Sequence, residues 1–186
     1  VRVLADFVIA RHYPELSGRE DVYLALLDAI AERQASLVAS WMHVGFIHGV
    51  MNTDNIAVSG ETLDYGPCAF LDEYHPGKVF SSIDRHGRYA FGNQPAVLRW
   101  NLARLAECLL PLIDSDPEDA LPAATAVIDA FPGRFESHWL AGMRRKLGLV
   151  SEEADDLALA QEFLHALHAV EADCTVSFRA LGIAAE

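Results

Sequence analysis

Apolar residues fall at Tyr23, Leu26, Leu27, Ile30, Leu37, Val38 and Trp41, a stripe with the period of an α-helix. The spacing predicts a helix over about 18–44, roughly 40 Å long at ~1.5 Å per residue. Ser17-Gly18-Arg19-Glu20 has the form of a capping box at its start, and Gly45 ends it. A second strong helix is predicted from Pro95, a residue suited to a first turn, with Val97, Leu98, Leu102, Leu105, Leu109 and Leu112 on its buried face. Asp116-Pro117-Glu118 opens another, expected to stop before Phe131-Pro132-Gly133. Later helices are expected over about 133–147, 152–170 and 174–184. Ser151 and the acids Glu152, Glu153, Asp155 and Asp156 read as a helix start, where negative charge suits the helix dipole.

Composition narrows the function classes. Of the 186 residues 52% are apolar and 22% charged, enough to build a core and too apolar for disorder. With 14 basic and 27 acidic residues the net charge is −13, which disfavours nonspecific nucleic-acid binding and anionic membrane surfaces. Uncharged apolar runs fall short of the roughly 18 residues of a membrane span, and Asp6 interrupts any signal-peptide core. Cys68, Cys108 and Cys174 form no CxxC pair and read as reduced thiols. The first residue is Val1 and not Met, which points to a piece of a longer protein or a processed chain.

Between the helical halves the pattern changes. Ile56-Ala57-Val58 and Thr62-Leu63-Asp64-Tyr65 flank Ser59-Gly60-Glu61, the turn chemistry of a short hairpin. Residues 66–94 follow, with Gly66, Pro67, Pro76, Gly77, Gly87 and Gly92 and little regular period. So long a loop is more often functional than idle. Just before it stands His48-Gly49-Val50-Met51-Asn52-Thr53-Asp54-Asn55, with Asp64 nine residues after Asn55. Asn55 and Asp64 offer hard oxygen ligands of the kind Mg²⁺ takes, and a hairpin between them folds the chain back. Asp54 points elsewhere, free to orient or deprotonate a nucleophile. These are parts of a phosphoryl- or nucleotidyl-transfer site. The same residues also suit a polar turn between a helix and a hairpin.

The order of residues adds a resemblance. His48 and Asn55 keep the spacing of a protein-kinase catalytic loop, and Asp64-Tyr65-Gly66 looks like the element that follows it. Val50 stands where a kinase places its catalytic Asp. Together with Pro67, Phe70-Leu71-Asp72, Gly87-Arg88-Tyr89, Asn93-Gln94-Pro95 and Trp100-Asn101-Leu102, the segment resembles the selenoprotein O family, protein adenylyltransferases with a pseudokinase fold. Similarity is weaker but continuous from Leu4 to Leu181.

The resemblance implies a fold that is mainly α with a small β-hairpin, the C-lobe of a kinase-like protein. Residues 1–186 would form one domain: catalytic loop 48–55, hairpin 56–65, activation segment 66–94 and a helical remainder 95–186. It implies transfer of AMP from ATP to Ser, Thr or Tyr hydroxyls of protein substrates, with the nucleotide inverted relative to kinases. Asp54 resembles the proton acceptor. Asn55 and Asp64 match ligands of Mg²⁺ (or Mn²⁺), and Asp64 also lies close to the nucleotide phosphates. Such proteins are cytoplasmic in bacteria and mitochondrial in eukaryotes. The family's Gly-rich loop and phosphate-binding lysine belong to an N-lobe that has no counterpart here, so this portion alone is expected to lack activity. Phe80 stands about where a redox-active cysteine is expected, and Cys68 is close but not equivalent. The alternatives are a catalytically inactive pseudokinase that binds a partner, or a small-molecule phosphotransferase; that class keeps an Asp where Val50 stands.

Other residues read as structural. His48 braces the loop; Trp41 and Trp100 belong to the core; His165 and His168 form a solvated or half-buried pair. Arg88-Tyr89 either hold residues 66–94 by pairing with an acid or contact the protein substrate.

Overall fold

The computed structural model describes residues 1–184. Its elements are α1 (Arg2–His12), α2 (Val22–Val44), β1 (Phe46–Ile47), β2 (Ala69–Phe70), α3 (Gln94–Ile113), α4 (Pro117–Leu147), α5 (Asp156–Ala169) and α6 (Cys174–Ala184). The fold is therefore mainly helical with one small antiparallel pair, as the sequence leads one to expect. No helix among the described residues is long and apolar enough to cross a membrane.

Helix α2 is the centre of the molecule. Its Leu26, Leu27, Ile30, Ala31, Ala35 and Val38 are buried, and they pack with Val97, Leu98 and Leu102 of α3 and Ala124, Val127 and Phe131 of α4. Gly45 ends α2 in the left-handed conformation (φ 70°) that glycine tolerates best. The start differs from expectation. Ser17 makes no cap; Gly18 turns with φ 83°, Arg19 pairs with Asp21 at 2.7 Å, and the helix begins at Val22. Helix α1 was not legible, because only Ala5 and Ile9 of its eleven residues are buried.

Helix α4 runs through Pro132-Gly133, where the sequence suggests a break. Proline removes one N–H, which leaves the carbonyl four residues earlier without its helical donor. Here that carbonyl belongs to Ile128, and the Arg99 guanidinium donates to it at 3.2 Å. The same arginine pairs with Asp129 at 2.6 Å, so α3 repairs the gap in α4. Asp116 caps the start of α4 by accepting from the Glu118 N–H at 2.9 Å.

The small sheet is not the expected hairpin at 56–65. Phe46 pairs with Phe70 and Ile47 with Ala69. Residues 56–65 form a turn at Val58-Ser59 and otherwise irregular backbone, because Tyr13, just after α1, and two side chains of α2 take carbonyls a ladder would use. Gln34 donates to Ala57 O at 2.5 Å, Tyr13 to Val58 O at 2.5 Å and Arg33 to Ser59 O at 3.4 Å.

At the far end, α5 and α6 close on the loop after β2. Cys174 N–H donates to Asp72 O at 2.6 Å and Tyr74 N–H to Ala172 O at 3.0 Å. Helix α5 starts at Asp156, later than 152, where Arg144 donates to the buried carboxylate at 2.6 Å and Glu153 N–H at 2.9 Å. These donors hold the Asp156 carboxyl below the usual carboxylate range.

Helices α2 and α4 are in tight contact at His43. Its Nε2 faces the Trp139 carbonyl at 2.8 Å, and burial pushes its pKa below the usual imidazole value. A Cβ on Gly142 would overlap the His43 ring. Gly142→Ala is therefore expected to cost about 1–3 kcal/mol, the range of overpacking in a rigid core. Urea unfolding should show the lower midpoint; an unchanged midpoint would mean that the ring moves aside freely.

Candidate functional site

The β1–β2 pair sets the site. Residue 48 onward leaves one strand as residues 64–68 enter the other, so the two loops named in the sequence lie side by side. His48 Nε2 faces the Leu63 carbonyl at 2.9 Å, and because a carbonyl only accepts, Nε2 carries the proton. Gly49 (φ 85°) lies so near Pro67 that a Cβ there would come within 2.9 Å of the Pro67 oxygen. His48 thus braces the loop, as its sequence context suggests.

Three side chains outside the loop hold its backbone. Gln94, fully buried at the start of α3, accepts from His48 N–H at 3.0 Å and donates to Phe46 O at 2.9 Å. Asn101, two turns along the same helix, donates to Met51 O at 2.9 Å. The Tyr89 hydroxyl donates to Asn52 Oδ1 at 2.6 Å. From the sequence Tyr89 reads as holding residues 66–94 or contacting the substrate; Gln94 and Asn101 are given no role in the site there, though a signal exists. Gln94 and Asn101 are polar residues seven apart on the apolar face of α3, where only a hydrogen-bonded amide is tolerated.

Of the site residues, Asp54 and Asp64 sit at the open surface and Asn55 is half-buried. Thr53–Asn55 form one tight turn, closed by Asn55 N–H to Asn52 O at 3.0 Å. The Asn55 side-chain NH₂ donates to Val50 O at 3.0 Å, which turns its amide oxygen away from the loop. Asp54, on the same turn, is exposed. Asp64 is also exposed and adopts φ 57°, a left-handed conformation that only Glu171 shares among the described non-glycine residues. Such backbone costs energy outside glycine and gathers at functional sites. No group of three or more His, Cys, Asp or Glu suited to a metal is present among the described residues.

Two readings change. Trp100 is not core: its neighbours Asn101 and Leu102 face inward, while the indole is 44% exposed and lies under two guanidiniums. Arg88 pairs with no acid among the described residues and rests on that indole with its Cζ 4.7 Å from the ring centroid. His165 is exposed and His168 half-buried, its ring 4.7 Å from that of His75. A cavity of about 570 Å³ between α2, α4, α5 and α6 is lined by none of Asp54, Asn55 and Asp64.

A family model described as protein adenylyltransferase SelO matches residues 1–185. A protein nucleotidyltransferase YdiU from Agrobacterium fabrum is 62% identical over 185 residues, 100% of this chain and 38% of the relative. Proteins of the same name from Rhizobium rhizogenes and Chromobacterium violaceum are each 60% identical, over 185 and 184 residues. This chain spans 37% and 38% of those two relatives.

Proposed function

The chain belongs to the protein adenylyltransferase SelO family, and from that premise we propose that it is the kinase-like C-lobe of an enzyme that moves AMP from ATP to Ser, Thr or Tyr hydroxyls of proteins. Residues 1–186 supply the base and metal half of the site. Residues 66–94 act as its activation segment, and an N-lobe elsewhere in the protein supplies the remaining phosphate contacts.

Asn55 and Asp64 would hold Mg²⁺ (or Mn²⁺). The donor set fits: with its NH₂ committed to Val50 O, Asn55 presents an amide oxygen, and Asp64 an exposed carboxylate without a hydrogen-bond partner among the described residues. Magnesium is commonly bound by one or two such groups together with substrate phosphates and water. The ion would neutralise charge that builds on departing pyrophosphate. Asp54 takes the proton of the attacking hydroxyl, and Val50, whose side chain has no acceptor, cannot. Gln94, through His48 N–H, and Asn101, through Met51 O, keep the loop backbone fixed while this happens, so that the base meets the hydroxyl without reorganisation.

One observation carries the reading. The kinase base position is apolar, while a carboxylate four residues on sits exposed on a turn held by Asn55. Adenylylation and phosphorylation part at the label. In a protein of the relatives' full length that contains this chain, ATP labelled at the α-phosphate should pass label to protein, with release of pyrophosphate and a mass gain of one AMP. Label entering from the γ-phosphate instead would make the protein a kinase with a relocated base. Label from neither would favour a binding module.

A further inference from the structure

Charge is unevenly spread along this chain. Between Tyr74 and Arg104 stand five basic residues, Lys78, Arg85, Arg88, Arg99 and Arg104, and one acid, Asp84. The remainder holds nine basic and twenty-six acidic residues. The one acid in the stretch is occupied: its carboxylate accepts from the N–H groups of Arg88 and Tyr89, each at 2.8 Å. Arg99 is committed to Asp129. Of the other four, Lys78 lies over Phe80, while Arg88 and Arg104, both exposed, share one half-open indole, with their Cζ atoms 4.7 and 5.3 Å from the Trp100 centroid. Arg104 also reaches Glu107 at 2.7 Å along the helix surface, an exposed pair of little net strength. A guanidinium resting on a ring keeps N–H donors for a carboxylate, and the ring limits the side-chain entropy lost when one binds.

This cluster borders the catalytic loop on two sides. Tyr89, next to Arg88, bonds Asn52, two residues before Asp54; Asn101, next to Trp100, bonds Met51. We propose that Arg88, Trp100 and Arg104 form a docking surface for an acidic segment of the protein substrate, adjoining the hydroxyl that Asp54 serves. The choice of occupant rests on charge: in a chain of net −13, this stretch carries five basic residues against one acid, so it attracts an acidic segment that the acid-rich remainder of the chain disfavours. The role of the surface rests on the adenylyltransfer reading. Its existence can be tested apart from that reading.

The test uses a protein of the relatives' full length containing this chain, and two short fluorescent peptides. Each peptide has one serine, flanked by glutamates in the first and by glutamines in the second. Binding is read by fluorescence anisotropy without ATP, at low and high NaCl. The glutamate peptide should bind about tenfold tighter than the glutamine peptide, with the preference lost at high salt, where the Debye length shrinks to about 3 Å. Arg88→Glu with Arg104→Glu should erase the preference, and Arg88→Lys with Arg104→Lys should retain part of it. Circular dichroism checks that both pairs keep the parent helix content. Equal binding of the two peptides by the parent protein would overturn the proposal. So would a glutamate preference that survives the charge reversal, or one that ATP competes away, which would make the patch a nucleotide site. If the preference behaves as expected while no label enters from α-labelled ATP, the docking surface stands and the adenylyltransfer reading falls.

Discussion

Asp64→Ala is expected to abolish Mg²⁺-dependent nucleotide binding in the full-length protein, while Asp54→Ala should bind nucleotide nearly as the parent does and transfer AMP roughly 10²–10⁴-fold more slowly. The two carboxylates are both exposed and lie on adjoining loops, so composition alone does not separate their roles. Their surroundings do. Asp64 sits in a left-handed backbone conformation, tied through Leu63 to His48. Without its carboxylate, Asn55 remains as a neutral ligand, and one amide oxygen holds Mg²⁺ poorly against water. Asp54 rides on a turn whose shape depends on the Asn55 bond to Val50 and not on its own side chain. Its removal takes away a proton acceptor and leaves the loop in place. Titration of a fluorescent ATP analogue with and without EDTA reads binding, and α-label incorporation reads transfer. Equal loss of binding in both variants would make Asp54 a ligand or a folding residue. Unchanged transfer in Asp54→Ala would remove it from the chemistry.

Gln94→Met is expected to cost about 2–6 kcal/mol of stability although it leaves a side chain of similar size. The substitution strips partners from two buried backbone groups, His48 N–H and Phe46 O, and each unsatisfied group costs about 1–3 kcal/mol. Helix content should survive, since the start of α3 also has Pro95 in its first turn. Urea unfolding followed by circular dichroism measures the loss, and a change below about 1 kcal/mol would show that water replaces the amide at little cost. The same variant should slow transfer more than it weakens ATP binding, because the loop that carries Asp54 loses its anchor.

The parts of this molecule legible from sequence share one property: their information is local. The period of α2, the glycine that ends it and the proline that opens α3 each act within a turn or two of where they stand. The order of residues from His48 to Asp64 was legible as a string for the same reason. What escaped depends on partners far along the chain. Pro132 failed to end a helix because Arg99 of another helix took up the freed carbonyl. Residues 56–65 failed to make a hairpin because Tyr13, Arg33 and Gln34 claimed their carbonyls first. Trp100 was misread because an aromatic on a helix reads as core unless the arginine that will cover it is known, and Arg88 comes from a different segment.

The clamp between the loop after β2 and the start of α6 has a consequence for how the molecule breathes. Tyr74 and Cys174 are about a hundred residues apart in sequence, yet each gives its amide proton to a carbonyl of the other's segment. Neither bond opens without loosening the other, so the two amides belong to one cooperative unit and exchange with solvent deuterium through a shared event. That unit joins the first residues of the loop leading toward Arg88 to the last helices of the chain. Local melting of α6 would therefore be felt at the entrance to the site as a change in loop order, and at Met42 and Ile47, which pack in one cluster with Cys174 and Phe178.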